Sequence, residues 1–164
     1  MFTNEGVYAL RNALKIGDYS PESLSKIRGI AYRDKNEIIM NDPEKIVPNN
    51  KMDTDLPGYA WDLLPYKSKP LDLYRAPMWH AEYDFEKRTP YASLQTSLGC
   101  QFGCNFCMIN ILNRNDNEEV GVASNYSGMR FWTTEFIIKE FDKLIDMGVK
   151  TIRIVDEMFL LNPK

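Results

Sequence analysis

The residues with the clearest chemical potential are three cysteines in one short stretch, Cys100-Gln101-Phe102-Gly103-Cys104-Asn105-Phe106-Cys107. They are all the cysteines of the chain. Three thiolates this close in sequence can converge on one metal centre. A zinc site or a cubane iron–sulfur cluster normally takes four protein ligands. On a [4Fe–4S] cluster, three thiolates leave one iron open to a substrate or cofactor. Gly99 and Gly103 suit a loop that curls around a cluster, because glycine adopts positive φ without steric cost. A second chemical feature is the acidic pair Asp156-Glu157. The single histidine, His80, reads as a packing or surface residue.

The elements around these residues follow from hydrophobic periodicity. Tyr91-Ala92-Ser93-Leu94-Gln95-Thr96-Ser97 reads as a strand running into the cysteine loop. Residues 108–132 read as a long polar, Asn-rich excursion. Thr133 or Thr134 caps a helix reaching Met147, with Ile137, Phe141, Leu144 and Ile145 as its buried stripe and Gly148 as its stop. Thr151-Ile152-Arg153-Ile154-Val155 is the next strand, and Asp156-Glu157 follow it. Strand, helix, strand is a βαβ unit, so the two strands should be parallel with a right-handed crossover. Their C-terminal ends then share one face, the face that carries active sites in α/β sheets and barrels. The cysteine loop and the acidic pair are therefore expected to border one pocket.

Upstream, residues 4–16 read as an amphipathic helix. Asn4 is its N-cap, Val7, Leu10 and Leu14 its buried face, and Gly17 its stop. A short helix follows with Ser20 as N-cap and Pro21 at its first position; Leu24 and Ile27 face inward and Gly29 ends it. Ile30–Arg33 and Glu37–Met40 flank Asp34-Lys35-Asn36 as a hairpin. This region has no large sheet and reads as the tail of a larger domain. Residues 41–90 hold most of the prolines but are rich in Trp and Tyr. They read as a linker running extended and packing on two domains.

Composition bounds the function. The chain has 164 residues, 44% hydrophobic and 26% charged, which is ordinary for a globular protein. A net charge of −3 argues against a broad basic surface for nucleic acid. No apolar run has the length of a membrane span, and Met1–Glu5 does not open a secretory signal. An odd number of clustered cysteines suits a reducing compartment, the cytoplasm, rather than a disulfide framework.

Three alternatives to a site-differentiated cluster can be weighed. A Cys₃His zinc site with His80 lacks the usual paired short knuckles. A redox dithiol at Cys104 and Cys107 leaves the third cysteine without a role, and no helix signal follows directly. An electron-transfer ferredoxin needs a fourth cysteine. The runner-up class remains a small structural zinc module that binds a partner and does no chemistry.

The spacing C-x₃-C-x₂-C, with Phe106 just before the last cysteine, resembles the motif of the radical S-adenosylmethionine (radical SAM) superfamily. Further segments resemble its cobalamin-binding subgroup. Leu56-Pro57-Gly58-Tyr59-Ala60-Trp61-Asp62-Leu63-Leu64-Pro65 is similar to that subgroup's link into the barrel, and Thr89–Cys100 to its first strand. Asp156-Glu157-Met158-Phe159 is similar to the end of its second strand. Asn4-Glu5-Gly6, with the helix and hairpin that follow, is similar to the end of its cobalamin domain.

The resemblance implies an α/β chain covering the middle of such an enzyme. Residues 1–45 would be a remnant of a Rossmann-like, cobalamin-binding domain and 46–89 a linker; 90–164 would be the first βαβ unit of an incomplete TIM-like barrel. It implies that Cys100, Cys104 and Cys107 ligate a [4Fe–4S] cluster and that S-adenosylmethionine chelates the open iron. Reductive cleavage would then give a 5′-deoxyadenosyl radical, with a reductant such as flavodoxin or ferredoxin as partner. The backbone around Phe106 would border the adenine, and Asp156 or Glu157 would sit near the ammonium. Cobalamin is admitted as a further cofactor, although no Asp-x-His-x-x-Gly signature is present. Methyl transfer or related radical chemistry is the expected reaction class. The substrate-facing barrel strands are not in the sequence, so these 164 residues alone are expected to be inactive.

Overall fold

The computed structural model describes residues 1–3, 5–68, 90–100, 102 and 129–159. Asn4, His80, Cys104, Phe106, Cys107 and the expected polar excursion up to residue 128 lie outside the described residues. The chain divides into two compact units. The first comprises Met1–Leu56 and Gly99–Arg130, the second Pro57–Leu98 and Phe131–Lys164. The expected linker is thus apportioned between the units at Leu56 and Pro57.

In the first unit, α1 (Val7–Ile16) starts after Gly6 at φ 77° and stops at Gly17, whose N–H donates to the Ala13 carbonyl. The expected buried face is wrong. Tyr8, Ala9 and Ala13 are buried, whereas Leu10 is 46% and Leu14 64% exposed. The reason is proximity. α1 packs against Ile27 and Ile30 through its alanines, with Leu24 and Tyr32 around them. A Cβ placed on Gly29 would lie 3.2 Å from the Ala9 Cβ and 2.6 Å from the Glu44 Cβ. Gly29 also sits at φ 72°. An approach this close admits the small-residue face of the helix and shuts out the leucine face.

α2 (Pro21–Leu24) forms as expected, with the Ser20 hydroxyl accepting from the Ser23 N–H. β1 (Ala31–Asp34) and β2 (Glu37–Met40) form the hairpin, in register from Ala31↔Met40 to Asp34↔Glu37. Its two-residue turn carries Lys35 at φ 50°. The sequence reading overlooked the N-terminal segment, which pairs beside the hairpin through an antiparallel bridge between Phe2 and Ile30.

Residues 41–68 are less extended than expected. They form 3₁₀ turns at Asn49–Lys51 and Trp61–Leu63 and a helical turn, α3 (Met52–Asp55). Val47 and Met52 are fully buried, which fixes the path of this segment in the first unit. Pro57 disfavours helical backbone at Leu56, and α3 ends there.

The second unit holds the expected βαβ arrangement. β3 (Tyr91–Leu94) is followed by the two-residue strand β4 (Ser97–Leu98), by β5 (Arg130–Phe131), whose Arg130 belongs to the first unit, and then by α4 (Thr134–Asp146) and β6 (Thr151–Ile154). β3 and β6 pair in parallel, from Tyr91↔Thr151 to Leu94↔Ile154. Ala92, Leu144 and Val149 form the core, packed by Trp61, Leu64, Tyr66, Met147 and Ile152. The Thr133 hydroxyl caps α4 by accepting from the Phe136 N–H. Two expectations fail here. Ile145 is 60% exposed, and the buried line instead includes Glu140. Glu140 is tolerated because Trp61 Nε1 donates to its Oε2 at 3.3 Å and Lys143 pairs with its Oε1. In addition, residues 130–132 are a strand and a buried tryptophan, not part of a polar loop.

Candidate functional site

The parallel register brings the ends of β3 and β6 level. The ladder continues one step beyond them, as the Val155 N–H donates to the Leu94 carbonyl at 3.0 Å. Each chain then enters a polar segment: Gln95-Thr96-Ser97 after β3, Asp156-Glu157 after β6. These segments are joined through Asp156. Its Oδ1 accepts from the Thr96 backbone N–H at 2.7 Å. Its Oδ2 accepts from the Thr96 hydroxyl at 2.5 Å and from the Ser97 hydroxyl at 2.9 Å. Ser97 is almost completely buried, so its hydroxyl needs this partner. Glu157, one residue on, is exposed.

Tyr59 stands near the same strand end. Its hydroxyl donates to Gln95 Oε1 at 3.5 Å and its ring lies 4.8 Å from that of Trp61. Burial pushes the Tyr59 phenol above its ordinary range, against the opposing pull of its hydrogen bond with Gln95 and with a further push from the Asp156 and Glu140 charges.

Two residues beyond Ser97, Gly99 takes φ 96°, which turns the backbone into Cys100. The Cys100 side chain is half-buried, and its Sγ accepts from the Phe102 N–H at 3.5 Å. Hydrogen bonds of this kind, from backbone amide to sulfur, tune cluster-bound sulfurs. Among the described residues no group of three or more His, Cys, Asp or Glu side chains converges on a metal position. Cys104, Cys107 and Phe106 lie outside those residues.

Sequence reasoning placed Asp156 at this strand end but missed Thr96 and Ser97 as its partners. The available signal was a pair of hydroxyl residues interrupting an apolar strand just before the loop. Among the described residues no helix is long and apolar enough to cross a membrane.

Comparison with known proteins adds one relative. No family profile matches the chain, and no solved structure matches it. A Pyrococcus horikoshii protein named an uncharacterized methyltransferase is 27% identical over 142 residues. That stretch is 86% of this chain but 24% of the relative, so the chain spans about a quarter of that protein's length.

Proposed function

We propose that this chain carries the cluster-binding segment of a radical SAM enzyme, with methyl transfer as its reaction class. The observation that carries the proposal is the position of the C-x₃-C-x₂-C motif. It begins six residues after the end of β3, whose parallel partner β6 ends at the same level. Active-site loops of α/β sheets and barrels leave from that edge. The amide-to-sulfur contact at Cys100 and the methyltransferase name of the similar protein support the same reading.

In this reading β3, α4 and β6 are the first βαβ unit of a barrel. Cys100, Cys104 and Cys107 hold three irons of a [4Fe–4S] cluster. The cluster, when bound, supplies the electron that cleaves S-adenosylmethionine, delivered by a flavodoxin- or ferredoxin-type donor. The chain's own residues position the reactants. Gly99, at φ 96°, turns the backbone where the motif begins, and the Phe102 amide donates to the sulfur of Cys100. The backbone around Phe106 would border the adenine, and an acidic residue after β6 would face the ammonium, where opposite charge is favourable. The Rossmann-like remnant in residues 1–45 would border cobalamin as the second cofactor.

Anaerobic reconstitution with iron and sulfide tests the proposal. The expected result is a brown protein whose reduced form gives an electron paramagnetic resonance signal that changes when S-adenosylmethionine is added. Cys104→Ala should abolish cluster retention. A colourless protein that retains zinc through its cysteines would overturn the proposal in favour of a structural zinc module.

A further inference from the structure

Asp156 has two conceivable tasks at the end of β6. A carboxylate there could face the ammonium of S-adenosylmethionine, or it could organise the neighbouring strand. The geometry points to the second. We propose that Asp156 is a positioning residue that fixes the entry to the cysteine loop, and that it is not the contact for the ammonium. This rests on the functional reading above.

The argument starts from how the carboxylate is used. Oδ1 accepts the Thr96 amide, and Oδ2 accepts the Thr96 and Ser97 hydroxyls. All three donors come from the stretch immediately before the loop. Thr96 and Ser97 precede Cys100 by four and three residues, too short a tether for Cys100 to wander once they are held. The β3–β6 ladder fixes Leu94 against Ile154, and Val155 extends it by one bond. Past that bond the Asp156 side chain holds the chain leaving β3, at Thr96 and Ser97. The Thr96 amide thereby gains an acceptor that the ladder no longer supplies, and a buried amide without one is costly. A charged acceptor gives the stronger form of that bond. Glu157 is exposed and stands one residue further out, so the acidic pair divides between a structural and an outward-facing carboxylate.

Replacing the charge while keeping hydrogen-bonding capacity separates the two tasks. In Asp156→Asn the amide oxygen still accepts from the Thr96 N–H, and its NH₂ can donate to the two hydroxyl oxygens. In Asp156→Ala the tie is lost. Two readouts are needed: hydrogen exchange at the Thr96 amide in the cluster-free chain, and iron release to a chelator in the reconstituted chain. Asp156→Ala should speed Thr96 exchange by about tenfold, the equivalent of one hydrogen bond, and should speed iron release. Asp156→Asn should leave both near wild type, along with the affinity for S-adenosylmethionine. Thr96→Val, which retains the backbone donor and removes one hydroxyl, should fall between them. Circular dichroism of each variant reports whether β3, α4 and β6 remain folded.

Two results would overturn the proposal. One is Thr96 exchange unchanged in a folded Asp156→Ala. The other is an Asp156→Asn that keeps its cluster but binds S-adenosylmethionine at least about tenfold more weakly, the signature of a lost charge-assisted contact to the ammonium. A wild-type chain that takes up no cluster defeats the functional reading alone, because the exchange measurement requires no cluster.

Discussion

The two units bury carboxylates for different ends. In the first, Glu5 and Arg130 form a buried ion pair at 2.8 Å around the backbone of a single residue, Val47. Glu5 Oε2 accepts from the Val47 N–H at 2.7 Å, and Arg130 Nη1 donates to the Val47 carbonyl at 2.7 Å. Both charges are largely withdrawn from water. In the second unit, Glu140 is buried more deeply still, but its ionic partner Lys143 has a side chain 58% exposed. Its interior contact is neutral, the Trp61 indole N–H. The first arrangement depends on charge balance inside the fold. The second depends on one hydrogen bond and on the aromatic segment it holds. A buried carboxylate is thus no single kind of device, and its partner's exposure decides what its removal costs.

The largest expected effect follows from that contrast. Arg130→Met leaves Glu5 buried without its counter-charge and the Val47 carbonyl without its donor. Breaking a buried pair from one side costs about 3–5 kcal/mol, so the denaturant midpoint should fall sharply. Glu140→Gln keeps an acceptor for Trp61 and loses only a half-exposed ion pair, at a cost of about 1 kcal/mol. Equal losses in the two variants would erase the distinction between the units.

A smaller effect tests how tightly each unit closes on its glycines. Gly58 has φ +81°, and a Cβ there would meet Phe136 Cζ at 3.1 Å and Glu140 Oε2 at 3.2 Å. Gly17 has φ +66° with open space around it. Alanine at 17 should cost about 1 kcal/mol from backbone conformation alone. Alanine at 58 adds a steric term and should cost about 2–3 kcal/mol. Thermal melts of the two variants measure the difference. If Gly58→Ala is no worse than Gly17→Ala, the packing of the Gly58–Trp61 segment on α4 is looser than these distances indicate.

How legible each unit was in the sequence follows the same division. The βαβ order was readable because strand, cap and stop signals are local. Thr133 sits before an apolar period, Gly148 after it, and Thr151–Ile154 alternates in a short β-rich run. Which face of a helix is buried is not local. In α1 the leucines form the stronger apolar stripe, yet Ala9 and Ala13 are chosen because Gly29 lets the chain come so close. In α4 the burial of Glu140 depends on Trp61, 79 residues earlier. The buried state of Arg130 depends on Glu5 in the same way. At the candidate site, residue type and strand position single out Cys100 and Asp156 as candidates. Their partners Phe102, Thr96 and Ser97 are not singled out, since a backbone amide and two hydroxyls carry no signal until the strands are in register.

The smallest expected effect is a pH response confined to the first unit. The Tyr8 hydroxyl donates to Asp55 Oδ2 at 2.7 Å. Burial, followed by that hydrogen bond and the Asp55 charge, pushes the phenol from 10.0 up to about 12, against the opposing pull of Arg11. The Arg11 guanidinium lies 4.4 Å from the ring centre. In the unfolded chain the phenol ionises near its ordinary value, while the folded chain holds the proton to about 12. The folded state therefore binds more protons across that window, and its stabilisation is present below pH 10 and lost as pH rises toward 12. The same bond holds the Asp55 carboxyl below its ordinary value. That contribution is present above the ordinary carboxylate pKa and disappears as pH falls through the lowered one. Tyr8→Phe should flatten the alkaline loss and let Asp55 titrate closer to its ordinary value. Ultraviolet titration of tyrosinate, combined with denaturant midpoints at pH 9, 10 and 11, checks both. Tyr59 is also pushed up by burial, so the Tyr8→Phe difference spectrum, rather than the total tyrosinate signal, isolates the first unit. A difference spectrum that rises near pH 10 would mean that the phenol is not held by Asp55, and that α1 and α3 are less closely joined than their side chains indicate.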